Sequence, residues 1–142
     1  MKCEGYTKVI EIRDYQPKKT KYILPQGIYM STLWIIRDYS RMKESEEDAI
    51  LTTPVHDGMP RGSGISDPTA NKAMNLSAVV SSRIRAIEEA KRDIPGEYMH
   101  GVWNNIQYRM PFPQDASRET YSRYKSKYIF GVAERLGLVK NL

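Results

Sequence analysis

Arg118, Thr120, Arg123 and Lys127 fall in one stretch, from Ser117 to about Leu136, that carries the marks of a helix. These side chains offer the chemistry of nucleic-acid contact. A guanidinium pairs bidentately with guanine, while ammonium and hydroxyl groups commonly meet phosphates. Arg118 and Thr120 lie in the first turn, where a recognition helix carries its base-reading residues. Arg123 and Lys127 lie one turn apart, with Ser122 and Ser126 beside them. A solvated face on a C-terminal helix has the same pattern, and spacing leaves both readings open.

No enzymatic constellation competes. Catalysis needs a positioned nucleophile and base, or converging carboxylates. The acids here fall on helix surfaces, and neither His56 nor His100 has a Ser or Cys partner in its surroundings. Cys3 is the single cysteine, which excludes an internal disulfide and a four-cysteine zinc site. The expectation is therefore no catalytic residue, no metal and no cofactor. Gly58, Gly62 and Gly64 match neither a P-loop nor a dinucleotide fingerprint. With Pro54 and Pro60 they read as a loop over residues 52–66.

The elements that must position the basic helix follow from size, charge and periodicity. A chain of 142 residues with 40 % hydrophobic residues can bury one core without staples. Net charge is +5, and it is unevenly spread. Residues 1–22 carry six Lys/Arg against three acids, residues 114–142 again six against three, whereas 41–50 reverse the sign. Positive charge thus gathers at the two ends, as a nucleic-acid footprint or as solvated tails. The longest apolar run, Ile28 to Ile36, is far short of the roughly 20 residues of a membrane span. The N-terminus lacks a hydrophobic signal core, so a cytoplasmic protein is expected.

Residues 1–22 read as a basic arm, with a short alternation at Lys8 to Arg13 that suits either one strand or a mobile end. Residues 23–142 read as a single helical domain. A first helix follows Leu24, with Pro25 at its first position. Its stripe is Ile28, Thr32, Ile35, Tyr39 and Met42, and it decays in the charged run Lys43 to Asp48. A second long helix has Asp67 as N-cap and Pro68 at its first position, with the stripe Leu76, Val80, Ile84, Ile87 and Ile94. It ends at Ile94, before Pro95. A third helix opens at Pro95-Gly96-Glu97 and turns Tyr98, Val102, Trp103, Ile106 and Met110 inward. The fourth opens at the N-cap Ser117 and ends at Gly137, with Tyr121, Tyr124, Tyr128, Val132 and Leu136 on one side. The fold class is all-α: a small bundle with two long helices and a helix-turn-helix-like pair over 95–138.

The words Ile94-Pro95-Gly96-Glu97-Tyr98, Val102-Trp103-Asn104-Asn105-Ile106, Ala116 to Lys125 and Phe130 to Leu138 resemble the C-terminal part of small phage-encoded transcription regulators. The family is that of the RinA/ArpU-like late-gene activators of phages and prophages, whose C-terminal part is similar to the region-4 helix-turn-helix of sigma factors. Gly62 to Ala70 resembles the lead-in to a long helix in the same proteins. The resemblance implies binding of double-stranded DNA near a promoter, with RNA polymerase as a further partner. It also implies that Arg118, Thr120, Arg123 and Lys127 face DNA, with Tyr121 and Lys125 at the margin. Trp103, Ile106, Tyr128 and Val132 would pack the motif from behind. One departure stands out. Pro111 and Pro113 occupy the short space before the last helix, where proline breaks helical structure. Either Tyr98 to Arg109 serves as the supporting helix, or the DNA-reading geometry is lost.

The leading expectation is a sigma-like, DNA-binding transcription regulator. The alternative is a helical protein–protein interaction module, such as a homodimer along Leu76 to Ile94, or a structural phage protein. Dispersal of Arg118, Arg123 and Lys127 would favour the alternative.

Overall fold

A computed structural model describes residues 16–17, 20–52 and 68–139. Among these residues there is no strand. Five α-helices follow in order: α1 Gln26–Arg37, α2 Tyr39–Thr52, α3 Pro68–Ala90, α4 Gly96–Tyr108 and α5 Arg118–Arg135, with a 3-10 turn Lys91–Asp93 after α3. The expected all-α bundle is what the chain builds. No helix among the described residues is long and apolar enough to cross a membrane. Most of the expected N-terminal arm, the 52–66 loop and the Asp67 cap lie outside the described residues, although Thr52 closes α2.

Proline opens two of the helices from just outside. Pro25 and Pro95 keep extended ψ angles of 142° and 135°, and each stands one place before its helix as the capping residue. Their carbonyls accept the amides of Tyr29 and Met99 at 2.9 Å. Pro25 is thus a cap, not the first helical residue as expected. Pro68 does begin α3.

The first helix departs from expectation at its end. The chain breaks at Asp38 (φ −84°, ψ 2°), whose amide is shared between the carbonyls of Trp34 and Ile35. It then restarts as α2 and runs straight through the charged stretch to Thr52. Glu, Lys and Arg are strong helix formers, so a charge run does not end a helix that has something to pack on. Here Met42 is buried against the core, and Glu46 accepts a hydrogen bond from Ser81 of α3 at 2.8 Å.

Helix α5 runs through the middle of the bundle, packed against α1, α3 and α4. Tyr121, Tyr128, Ile129 and Val132 are fully buried on it, facing Leu33 and Ile36 of α1, Ile87 of α3, and Val102 and Ile106 of α4 in one core. The Tyr128 hydroxyl, far from water, donates to the Ile87 carbonyl at 3.0 Å. No buried side-chain nitrogen or oxygen among the described residues lacks a hydrogen-bond partner.

Both ends of α5 follow local rules. Ser117 Oγ accepts the Thr120 amide at 3.2 Å. At the other end Gly137 takes φ 74°, the Leu138 amide reaches the Ala133 carbonyl and the Gly137 amide the Glu134 carbonyl, both at 3.0 Å. That pair of bonds is the Schellman closure, and the positive φ is why glycine stands there.

The α3 stripe is buried only in its second half. Ile84, Ile87 and Ile94 are in the core, whereas Leu76 is 59 % exposed. Met110, expected inward, is exposed as well. Arg109 enters the left-handed region (φ 55°) and turns the chain away before Met110 is reached.

Candidate nucleic-acid interface

The six residues expected at DNA do not share a surface. Arg123 is exposed and Lys127 half-buried on the solvent side of α5. Neither makes an ion pair with another described residue, although Glu119 and Glu134 are on the same helix. Arg118 is exposed too, but it leaves the helix in another direction. At about 100° per residue it points about 140° away from Arg123 and about 180° away from Lys127. Thr120 is half-buried and belongs to the cap: its amide bonds Ser117 Oγ, and the two hydroxyls lie 2.8 Å apart.

Tyr121 and Lys125 must be removed from the expected surface set. Tyr121 is fully buried. Its ring stacks on Phe112 (5.3 Å, 12°) and meets Tyr98 edge-on (5.5 Å, 81°), and its hydroxyl donates to Asp115 Oδ1 at 2.6 Å. That hydrogen bond to a carboxylate, helped by burial, pushes the phenol up to about 12. Lys125 is 8 % exposed, and its Nζ donates to Asn105 Oδ1 at 2.7 Å. The reason is register. Positions 121, 125, 128 and 132 recur at helical spacing and form the stripe that faces α4 and the core. A lysine in that stripe is carried inside unless it can snorkel, and here an amide on α4 receives it.

The segment between α4 and α5 explains how a proline-rich break holds its shape. Asn105 Nδ2 donates to the Met110 carbonyl at 2.7 Å, so one side chain ties both Lys125 and the connector. Phe112 covers Tyr121, and Tyr98 stacks on Tyr124 (4.8 Å, 18°). Pro113 lies so close to α4 that only glycine fits at 101: a β-carbon there would stand 2.7 Å from Pro113 Cδ and 2.8 Å from Tyr121 Cε1. The prolines therefore act as packing pieces, and α4 itself supports α5.

What sequence reasoning missed is that Lys21 and Tyr22 come to lie against α5. The Gln16 side chain accepts the Leu24 amide at 2.9 Å and donates to the Leu24 carbonyl, tying Gln16 to the buried Leu24. Tyr22 then packs on Phe130 of α5 (5.6 Å, 58°), with the Lys21 ammonium 5.2 Å from the Tyr22 ring. Phe130 is three residues beyond Lys127 and so its neighbour on the helix surface. Lys21 is thereby placed beside the helix that carries Arg123 and Lys127. The signal in the sequence was the aromatic Tyr22 at the end of a basic run, but its partner is 108 positions away (130 − 22) and no local pattern names it.

Other cations are engaged inside the protein. Arg135 binds Asp93 at 2.9 Å and approaches Glu89 at 3.9 Å. The Lys91 ammonium lies 3.6 Å from the Trp103 ring centre and 5.4 Å from that of Tyr39. Tyr39 meets Trp103 edge-on and donates to Glu88 at 2.7 Å. Desolvation in this cluster lowers the Lys91 pKa, with Glu88 opposing it. The cluster joins α2, α3 and α4, and its cations serve the fold.

His100 is exposed, 3.2 Å from the Asn104 amide. Among the described residues no three His, Cys, Asp or Glu side chains converge as a metal site would require. No protein-family model, no curated protein and no solved structure matches the chain. The functional reading therefore rests on the chain's own geometry.

Proposed function

We propose that this protein is a DNA-binding regulator, of the transcription class that the sequence resemblance implies, and that it docks on duplex DNA through the solvent face of α5 and the basic N-terminal stretch. The observation that carries the reading is the Tyr22–Phe130 contact, which sets Lys21 beside the helix that carries Arg123 and Lys127. The mechanism is electrostatic. The Arg123 fork and the Lys127 ammonium take phosphate oxygens and release counterions, and Lys21 extends the footprint. Base reading by the first turn is the weaker part of the expectation, because Thr120 is committed to the cap and Arg118 turns aside. Phosphate contacts position a protein on the duplex without specifying sequence.

Fluorescence anisotropy of a labelled duplex at two salt concentrations tests this. Binding should weaken steeply with salt. Absence of binding at low salt, where any basic DNA-docking surface adheres, overturns the reading. The alternative of a protein–protein interaction module is favoured by two observations: Arg118 is dispersed from Arg123 and Lys127, and Trp34 and Val79 are 57 % and 46 % exposed. Monomeric proteins rarely leave large apolar groups together at the surface without use.

A further inference from the structure

The exposed Trp34, Val79 and Leu138 line two open grooves that share Ile35. One, of about 400 Å³, is floored by Ile35, Val79, Leu136 and Leu138 and edged by Arg83. The other, of about 440 Å³, lies along Trp34, Arg37 and Asp38. The surface thus combines an aliphatic floor contributed by α1, α3 and the end of α5 with a projecting indole beside a guanidinium. Trp and Arg are the side chains that most often dominate binding energy at interfaces.

Charge decides between occupants. The grooves are lined by Arg83 and by Arg37, whose Nε donates to the Ile106 carbonyl at 2.9 Å, against one carboxylate, Asp38, which the neighbouring Arg41 holds at 2.7 Å. Arg83 makes no ion pair with another described residue. A second copy would bring the same basic rim, on a body of net charge +5, against its like. Backbone chemistry decides the partner's conformation. With no strand among the described residues, the bundle offers no edge for an extended peptide to pair with. A helix arrives with its backbone hydrogen bonds already made and needs none from the bundle.

We propose that this face, independent of the DNA-docking face, receives an amphipathic helix of another protein whose apolar stripe is flanked by carboxylates. The carboxylates meet Arg83 and the positive field of Arg37, and the stripe covers Trp34 and the Ile35–Val79–Leu138 floor.

The test uses the isotope-labelled full chain and synthetic helical peptides with one leucine stripe, flanked by glutamate or by lysine. The expected result is that the glutamate peptide moves the Trp34 indole N–H resonance and the Val79 and Leu138 amides, while the lysine peptide does not. Trp34→Ala, an exposed position that leaves the core intact, should weaken binding by about thirtyfold, the scale of an interface hot spot. Arg83→Glu should reverse the preference between peptides. Arg123→Ala with Lys127→Ala should leave peptide binding unchanged, which separates this surface from the DNA reading. Equal binding of the two peptides, or no binding of the glutamate peptide, overturns the proposal. So does self-association of the chain, seen by sedimentation together with shifts of the same resonances as concentration rises, because that gives the face to a second copy.

Discussion

Replacing Gly101 by alanine tests whether the proline connector really braces α4 against α5. The added methyl carbon would stand 2.7 Å from Pro113 Cδ, 2.9 Å from Pro113 Cγ and 2.8 Å from Tyr121 Cε1. Carbon atoms in contact prefer about 3.5–4.0 Å, so all three approaches are repulsive. Neither neighbour can give way cheaply. The proline ring is rigid, and the Tyr121 ring is held between Phe112 and Tyr98 with its hydroxyl on Asp115. Overpacking of this kind costs about 1–3 kcal/mol, and alanine recovers about 1 kcal/mol over glycine in helix propensity. With both neighbours clamped the cost falls at or slightly beyond the upper end, leaving a net loss of about 2 kcal/mol. For a chain of this size that lowers Tm by about 6 °C. Urea unfolding followed by circular dichroism reads the loss directly. Adding Pro113→Ala removes Cγ and Cδ, so the double variant should regain part of it, and the two changes should not add. A Gly101→Ala variant as stable as the parent would refute the brace, because propensity would then have met no opposing clash.

Further outcomes follow from the same contacts. Asn105→Ala takes the acceptor at 2.7 Å from Lys125 and frees the Met110 carbonyl, so unfolding free energy should fall by about 2–3 kcal/mol. Ser117→Ala removes the α5 cap and should cost about 1 kcal/mol in the same assay. Arg123→Ala with Lys127→Ala should reduce the slope of log affinity against log salt by about 2, with stability unchanged to within about 0.5 kcal/mol. At high pH the tyrosines matter. Tyr121 is raised from 10.0 to about 12 by its bond to Asp115 and by burial, and Tyr39 to about 12 by burial and its bond to Glu88. The folded state therefore holds these protons more tightly than the unfolded one. The stability they contribute is complete below pH 10 and should be lost as pH climbs toward about 12. Tyr121→Phe should make that decline shallower in urea titrations.

Much of the fold was legible because it is written in short-range chemistry. A serine that can reach an amide three residues on, prolines that cannot donate, and a glycine that tolerates φ 74° mark helix ends wherever they occur. The tyrosine stripe of α5 declared its buried side in the same way. Long-range contacts decided the rest. Helix α2 survives its charged run because α3 offers Ser81 to Glu46 and the core takes Met42, neither of which its own residues announce. Lys125 goes inside because Asn105, on another helix, accepts its hydrogen bond, so a residue whose charge suggests the surface became part of the interior. Conversely, Trp34 and Leu76 stay exposed because the bundle closes without them.

The sequence by itself determined helix content, the helix starts at Pro68 and Arg118 and the stop at Gly137, and the polarity of the α5 stripe, since each depends on hydrogen bonds and side-chain spacing within a turn or two. Tertiary structure decided which basic residues share a face. It withdrew Tyr121 and Lys125 and brought Tyr22 onto Phe130. Those outcomes depend on how helices are rotated and stacked, and that rotation is set by the best burial of the whole core rather than by any one segment.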